Sequence, residues 1–269
     1  MVLYVVGTPI GNLEDITLRA LRVLREVSLI AAEDTRKAGV LLKHYEITTP
    51  VTSYFEANER TKLARILDAL EQGDVALISE AGMPGISDPG YPLIRAAIER
   101  GVSVVPVPGP SAHTAALVIS GLPTDQFLFV GFLPRKRAEA ALSTLVSTGA
   151  TLVFYEAPHR LVQTLQSLRE ILGNREIALC RELTKMYEEV WRGDLDGALS
   201  WVASHPPRGE FTLVVAGASE DAEVWNEARV REALLEHIAR GRSRSQAARE
   251  VASLAGWPRR RVYDLATDP

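Results

Sequence analysis

The sequence predicts an α/β protein with two α/β domains followed by a small helical module. Short apolar runs typical of buried strands alternate with helical patterns through most of the 269 residues. The alternation starts afresh after the turn at Gly121 and Leu122, and the last stretch carries helical patterns only. We therefore expect an N-terminal α/β domain over residues 1–121, a second α/β domain over 122–220 and a helical module over 221–269.

In the first domain, the alternation of strands with helices predicts a largely parallel sheet. A helix is predicted over 58–72, where apolar residues from Leu63 to Leu70 follow a helical stripe. Gly73 stands where a C-terminal glycine cap belongs. The strand candidates lie at 3–6, 29–32, 75–78 and 104–107.

In the second domain, strand candidates lie closer together, which allows a mixed sheet. They occupy residues 127–130, 151–155, 177–180 and 211–215. Helices are predicted to end near Gly149 and Leu172, and a further helix is predicted over 194–203.

The acidic run 220–223 lies at the boundary between the second domain and the helical module, and it is typical of a linker or a helix start. Ser243 or Ser245 is predicted to cap a helix through Leu254, Gly256 to make a turn, and Pro258 to open a last helix. Two short helices joined at a glycine resemble a helix-turn-helix.

Charge distribution indicates a nucleic-acid partner. The whole chain has a formal net charge of −4, yet residues 229–263 hold nine arginines against three glutamates. An acidic body with a basic appendage is a recognised sign of nucleic-acid binding. The alternative is a solvated helical bundle.

Composition excludes several classes of site. The single cysteine, Cys180, rules out an intramolecular disulfide and a cysteine-based zinc site, and the five histidines lack metal-ligand spacing. We therefore expect no metal. No apolar run spans a bilayer and no export signal precedes the first strand, so we expect a cytoplasmic protein without a membrane partner.

Four strand candidates run directly into loops rich in glycine, proline and small residues. Ligands of α/β sheets bind outside the carboxyl ends of the strands, so we expect these loops to line one crevice. Neither a GxGxxG nor a GxxxxGK(S/T) motif is present. The loops have the sequences GTPIGN at 7–12, SEAGMPGISDPG at 79–90, PGPSA at 108–112 and EAPH at 156–159.

Five motifs in order carry a resemblance to a known family: VGTPIGNL at 6–13, EDTR at 33–36, the loop at 79–90, PGPSA at 108–112 and YEAPHR at 155–160. Together they resemble the ribosomal RNA small subunit methyltransferase I family of the tetrapyrrole methylase superfamily, over residues 3–217. The resemblance implies two α/β domains with a cofactor cleft between them. It also implies a homodimer that uses S-adenosylmethionine to methylate the ribose 2′-hydroxyl of a decoding-centre cytidine in 16S ribosomal RNA of the small subunit.

The resemblance also implies the cofactor-binding positions, which are Pro9, Gly82, Met83, Ile86, Ser111, Ala112, Glu156 and Leu183. One position departs from the tetrapyrrole-modifying relatives, which have an aspartate before the proline of the second loop. This chain has Met83 before Pro84 there, so Glu80 or Asp88 would have to supply acceptor chemistry. The substitution favours the RNA-modifying branch.

Candidate catalytic residues follow the second strand. Glu33, Asp34 and Arg36 are expected to face the cofactor loops, where Arg36 would grip a phosphate or stabilise developing charge and a carboxylate would orient the hydroxyl. The alternative is an ordinary ion pair at a strand end. Secondary candidates are Lys185, His113 and Arg160, and Tyr54 and Phe55 are candidates either for stacking a base or for the core.

Candidate RNA-binding residues are five arginines of the helical module: Arg242, Arg244, Arg259, Arg260 and Arg261. Trp257 and Tyr263 are expected to pack inside that module. Two alternatives stay open. One is a methyltransferase that acts on a small tetrapyrrole, and the other is a nucleic-acid-binding regulator whose α/β body senses a nucleotide-like metabolite.

Overall fold

The computed structural model describes residues 1–218, 227–255 and 257–267. The chain divides into two compact units. Unit 1 consists of Met1–Ala115 and Glu182–Glu189, and unit 2 of Ala116–Arg181 and Val190–Pro269. The expected domains 1–121, 122–220 and 221–269 stay a prediction. The predicted linker at 220–223 and the predicted turn at Gly256 lie outside the described residues.

Unit 1 contains a five-stranded sheet of order β3-β2-β4-β1-β5 in which every neighbouring pair is parallel. This confirms the predicted parallel sheet. Because all strands point the same way, their carboxyl ends lie along one edge. The strands are β1 (Val2–Val6), β2 (Leu29–Ala32), β3 (Val51–Ser53), β4 (Val75–Ile78) and β5 (Ser103–Val107). The helices that begin in this unit are α1 (Leu18–Glu26), α2 (Thr35–His44), α3 (Glu59–Leu70), α4 (Tyr91–Glu99) and α5 (Ala112–Ser120).

Helices cover both faces of this sheet. Every residue of β4 is buried, and alternate side chains enter opposite clusters: Ile78 packs with Leu24, while Leu77 packs with Leu93. Two-sided burial explains why the strands read as continuous apolar runs in the sequence.

Gly73 has a different role from the one predicted. Helix α3 ends at Leu70, and Gly73 is not among the residues with positive φ, so it is not a left-handed cap. A Cβ at this position would lie 2.7 Å from the hydroxyl oxygen of Ser28. The glycine is therefore explained by close approach of the chain before β2.

Unit 2 contains a mixed sheet of order β6-β7-β10-β8-β9, as the spacing of its strands allowed. β6 runs parallel to β7, whereas β10 is antiparallel to β7 and to β8. The strands are β6 (Phe127–Phe132), β7 (Thr151–Glu156), β8 (Glu176–Arg181), β9 (Glu189–Asp194) and β10 (Phe211–Val215). The helices that lie between these strands in the sequence are α6 (Ala138–Ser143), α7 (Leu161–Leu172) and α8 (Leu195–Ser204).

Two features of unit 2 differ from the sequence prediction. β9 was not predicted, because this edge strand is exposed or half-buried and half of its residues are charged, so it lacks an apolar run. The helix expected to end near Gly149 ends at Ser143 and gives way to turns.

The C-terminal helices are α9 (Glu227–Ala239), α10 (Arg244–Ala255) and α11 (Arg259–Thr267). Val230, Leu234, Val251 and Val262 form part of their shared buried core. The amide of Gln246 donates to the Ser243 hydroxyl over 3.3 Å, which confirms the predicted cap. None of the helices that the structure describes has the length and apolar character needed to cross a membrane.

Candidate functional site

Three of the predicted loops meet at the carboxyl ends of the adjacent strands β4, β1 and β5. The amide of Gly7 donates to the carbonyl of Val107 over 3.0 Å. Thr8 and Gly82 exchange two backbone hydrogen bonds of 2.9 and 3.1 Å, which joins the first loop to the second. The sheet order therefore brings together segments that are about 100 residues apart in the sequence.

These loops approach so closely that side chains are excluded between them. A Cβ at Gly7 would lie 2.7 Å from the sulfur of Met83 and 2.8 Å from the Cα of Gly109. Gly82 adopts φ of 86°, in the left-handed region. The result is a cradle of main-chain atoms and small side chains, which we call the loop cradle and define as residues 7–12, 79–90 and 108–112.

Most of the predicted cofactor residues belong to the loop cradle. Pro9 and Met83 are half-buried, and Ile86 is exposed. Ser111 and Ala112 lie where α5 begins, and the Ser111 hydroxyl is 2.9 Å from Nδ1 of His113. Burial lowers the pKa of His113, so its imidazole is held in the neutral form at neutral pH.

The segment Glu182–Glu189 contributes Leu183 to the same unit. A Cβ at Gly11 would lie 3.1 Å from the carbonyl oxygen of Leu183, so this segment runs against the first loop. Glu182 and Thr184 have φ of 49° and 66°, a strained conformation for residues with side chains. The amide of Thr184 donates to Glu188 over 2.5 Å. Sequence reasoning singled out Leu183 and Lys185 but not the turn that holds them.

Glu156 lies in unit 2 and is buried. Its carboxylate accepts hydrogen bonds of 2.5 Å from the Thr164 hydroxyl and 2.8 Å from the amide of Ala157. Oε1 also lies 3.6 Å from Nε of Arg160. These contacts hold the Glu156 side chain in place within unit 2, and its predicted contact with a cofactor stays a prediction.

The predicted catalytic residues lie at the end of β2, beside the second loop of the cradle. Oε2 of Glu33 accepts a hydrogen bond of 3.1 Å from the amide of Glu80. Asp34 caps α2 by accepting from the amide of Arg36 over 2.7 Å, and it also binds the Arg36 guanidinium over 2.8 Å. The alternative of a local ion pair is therefore present at Asp34 and Arg36, while Glu33 points its carboxylate toward the second loop.

A cavity of about 620 Å³ opens beside these residues, and we call it the acidic pocket. Its wall includes Glu33, Phe55, Glu59, Ser87 and Asp88. Burial, followed by repulsion from Glu33, raises the pKa of Asp88 to about 7. Burial also raises the pKa of Glu33. These carboxyl groups therefore take up and release protons closer to neutral pH than ordinary carboxyl groups do.

The two aromatic candidates have separate positions. Tyr54 is fully buried and packs in the core with Ile66, whereas Phe55 is 40% exposed and lines the acidic pocket. Only Phe55 of this pair has a face available for stacking on a base.

The five predicted RNA-binding arginines are all exposed; Arg242 lies in the turn between α9 and α10, and the other four lie on α10 and α11. Three of them make local contacts. Arg242 lies 3.7 Å from Glu250, Arg259 donates to Ser245 over 3.1 Å, and the Arg261 guanidinium lies 3.8 Å above the ring of Trp257. Trp257 packs against the module core as predicted, while Tyr263 is 42% exposed.

Across the described ranges 1–218, 227–255 and 257–267, no group of three or more His, Cys, Asp or Glu side chains is arranged to hold a metal ion.

Comparison with known proteins agrees with this architecture. Residues 2–199 match the family model described as Tetrapyrrole (Corrin/Porphyrin) Methylases. A Halalkalibacterium halodurans protein named Ribosomal RNA small subunit methyltransferase I is 49% identical over 270 aligned residues, covering 98% of this chain and 93% of that protein. The chain belongs to the ribosomal RNA small subunit methyltransferase I family. This family membership makes the chain a methyltransferase of the tetrapyrrole methylase fold.

One further relative and one solved structure are also similar to this chain. The Thermotoga maritima protein of the same name is 48% identical over 217 residues, which cover 80% of this chain but 98% of that protein. That relative is therefore shorter than this chain, and nearly its whole length aligns with it. The crystal structure of uroporphyrin-III-C-methyltransferase from Thermus thermophilus superimposes with a TM-score of 0.58 and 25% identity, over 80% of this chain and 94% of that one.

Proposed function

We propose that this protein uses S-adenosylmethionine to methylate the ribose 2′-hydroxyl of a decoding-centre cytidine in 16S ribosomal RNA of the small subunit. The observation that carries the proposal is the 49% identity, over 98% of the chain, to a protein named Ribosomal RNA small subunit methyltransferase I. The cytidine and the 2′-oxygen rest on the resemblance of the five sequence motifs. The same resemblance supports a homodimer in the cytoplasm.

The loop cradle supports this assignment. A nucleoside with a short amino-acid tail needs main-chain partners at close range, and the cradle gathers the main chain of three loops at the ends of β4, β1 and β5. We assign binding to six cradle residues, to Leu183 of the adjoining segment and to Glu156 of unit 2. The cradle residues are Pro9, Gly82, Met83, Ile86, Ser111 and Ala112. S-adenosylmethionine supplies an electrophilic methyl group, whose transfer is an in-line displacement that depends on alignment.

Proton acceptance is assigned to the acidic pocket. A ribose hydroxyl loses its proton as its oxygen is methylated, so an ionised carboxylate near neutral pH is a suitable acceptor. Glu33 is positioned by the amide of Glu80, and Asp88 has a pKa of about 7. Asp34 holds Arg36 at the start of α2, where the guanidinium is exposed and available to an RNA phosphate.

The C-terminal arginines are assigned to RNA backbone contacts. Arg244 and Arg260 are exposed, and neither forms a hydrogen bond or ion pair among the residues that the structure describes. Their charges are therefore available for phosphates. A structured ribosomal substrate matches this arrangement better than a short oligonucleotide does.

The second candidate substrate is a small tetrapyrrole, which the matched family model and the Thermus thermophilus structure favour. Two features speak against it. Met83 occupies the position where the tetrapyrrole-modifying relatives have an aspartate, and a porphyrinoid would not need a cluster of arginines.

Transfer of tritium from labelled S-adenosylmethionine tests the proposal directly. The substrates are naked 16S ribosomal RNA, small subunits, whole ribosomes and a porphyrinoid, followed by mass-spectrometric mapping of the methyl group. We expect label on a cytidine ribose and unequal labelling among the three RNA substrates. Label on the porphyrinoid alone, or on a base, would contradict the proposal.

A further inference from the structure

Unit 2 contains a second cavity, of about 320 Å³, whose charge is opposite to that of the acidic pocket. We call it the basic pocket. Its polar wall comes from Arg135, His159, Arg160, Gln163 and Ser167. Among the described residues of unit 2, no carboxylate lines it. It lies between the segment that follows β6 and the first turns of α7, and its wall includes Arg160, a secondary candidate of the sequence analysis, together with Arg135, which the motifs do not include.

Arg160 is fixed in place by protein contacts. Its Nη2 donates to the carbonyl of Leu133 over 2.8 Å, and its Nε lies 3.6 Å from the buried carboxylate of Glu156. The Arg160 side chain retains 20% exposure. Because this side chain is ordered before a ligand arrives, an anion that binds it loses little side-chain entropy.

Arg135 completes the positive charge of the pocket. It is exposed, and within the part of the chain that the structure describes it forms neither an ion pair nor a hydrogen bond. The run Arg135-Lys136-Arg137 continues the positive surface beyond the cavity. Arg137 has φ of 68°, a left-handed conformation that is uncommon for a residue with a side chain.

Helix α7 adds a smaller contribution of the same sign. Its first residue is Leu161, and Arg160 before it makes no side-chain cap. The start of an uncapped helix carries a partial positive charge, which reinforces the attraction for an anion. The pocket has room for one anionic group, and the positive surface continues beyond it. This arrangement suits one phosphate of a phosphodiester chain better than it suits a free anion.

We propose that the basic pocket binds a backbone phosphate of the RNA substrate. The inference rests on the proposed function and adds a contact that is independent of the C-terminal arginines. A polyanion held here by one phosphate would extend over Lys136 and Arg137.

The test compares two pocket variants with two matched controls. Arg135→Ala removes a pocket charge, and Arg208→Ala removes another exposed arginine of unit 2 from outside the pocket. Gln163→Glu places a carboxylate in the pocket at the third position of α7, where an acidic residue favours the helix, so loss of RNA binding cannot be attributed to unfolding. Gln166→Glu makes the same change one turn further on, outside the pocket wall.

Binding to naked 16S ribosomal RNA is measured over a range of salt concentrations, with calorimetry of S-adenosylmethionine binding in parallel. We expect Arg135→Ala and Gln163→Glu to weaken RNA binding by roughly 3- to 10-fold. The slope of log K against log salt should shrink by about 0.7–0.9 for a lost phosphate contact. Both controls should stay within roughly 2-fold of the unchanged protein, and all variants should bind cofactor equally.

The outcomes separate the pocket from the enzyme's function. Pocket variants that match their controls in affinity and slope, while the unchanged protein binds and methylates RNA, would overturn the basic pocket. Equal inhibition of RNA binding by millimolar phosphate in pocket variants and unchanged protein would also overturn it. An unchanged protein that takes up cofactor but neither binds nor labels RNA would overturn the proposed function itself.

Discussion

The carboxylate of Glu33 accepts a hydrogen bond of 3.1 Å from the backbone amide of Glu80, which joins the end of β2 to the loop after β4. Glu80 in turn forms an ion pair with Lys37 of α2. Since β2 and β4 are neighbours in the sheet, this contact places a carboxylate of the acidic pocket beside the loop cradle. The predicted substrate residue and the predicted cofactor loop thus share one edge of unit 1.

Glu33→Gln should reduce methyl transfer with little effect on folding. The amide oxygen of glutamine can still accept the hydrogen bond from Glu80, but the charge that accepts a proton is lost. We expect the turnover number to fall by roughly 100-fold or more. Calorimetry should find S-adenosylmethionine affinity within about 2-fold of the unchanged protein.

The matched control for this variant is Glu99→Gln, which alters an exposed glutamate paired with Arg95 on α4. Its turnover should be unchanged. Equal turnover numbers for Glu33→Gln and Glu99→Gln would show that Glu33 does not accept the proton.

Asp88→Asn should raise stability progressively as pH rises from about 4 to about 7, with the full gain above that range. The folded-state pKa of Asp88, about 7, lies above its ordinary value of 3.8, so the folded protein binds this proton more tightly than the unfolded chain does. The free energy of unfolding therefore falls as pH rises from about 4 to about 7 and is flat above. We expect the variant to gain about 1–2 kcal/mol at pH 8, because partial exposure screens the effect, and nothing near pH 4.

Denaturant unfolding at several pH values measures this difference. Asp68→Asn on the exposed surface of α3 serves as the control and should follow the unchanged protein at each pH. A gain in stability that does not vary with pH would mean that burial does not disfavour the ionised form of the Asp88 carboxyl group.

Gly7→Ala should abolish cofactor binding. The added Cβ would lie 2.7 Å from the Met83 sulfur and 2.8 Å from the Gly109 backbone, so the loops must separate. We expect the calorimetric signal for S-adenosylmethionine to disappear, with affinity lowered roughly 100-fold or more.

Gly39→Ala is the control for this glycine substitution. Gly39 lies within α2, and a Cβ there would meet no atom within 4 Å apart from its chain neighbours and the backbone of its own helix. This change should leave binding intact and stabilise the helix by about 0.5–1 kcal/mol. Unaltered binding by Gly7→Ala would show that the loop contacts are unrelated to the cofactor.

Arg244→Ala with Arg260→Ala should weaken RNA binding and flatten its salt dependence. These two arginines are chosen because Arg259 and Arg261 also contact Ser245 and Trp257, so their loss would disturb the module. We expect the salt slope to fall by about 1.4–1.8 in total and cofactor affinity to be unchanged.

The control for the arginine pair is Arg60→Ala with Arg65→Ala, which removes two exposed charges of α3. Residual methylation by the Arg244 and Arg260 variant is expected at low salt, where the remaining cationic contacts bind RNA more strongly. A slope equal to that of the control pair would exclude the module from backbone contact.

Local pattern was sufficient for the parts of the fold that are buried on both sides. The runs at 29–32, 75–78 and 211–215 correspond to β2, β4 and β10 with the same bounds. The edge strand β9 was not predicted, because its residues are largely polar and do not form an apolar run or an alternating apolar pattern. The prediction that Gly73 caps α3 was wrong. Gly73 is required by its close approach to Ser28, a contact between residues that are distant in the sequence.

The sequence by itself determined the buried strands, the glycine-rich loops and the family motifs, because a buried strand and a tight turn each require particular residue types in a short stretch of chain. Only the tertiary structure decided that Glu182–Glu189 joins unit 1, that Glu33 and Asp88 share a cavity, and that Arg135 and Arg160 line another. Those features depend on which strand ends lie side by side. A proton affinity or a cavity is a property of groups brought together in space, and strand order is not encoded in any single stretch of the chain.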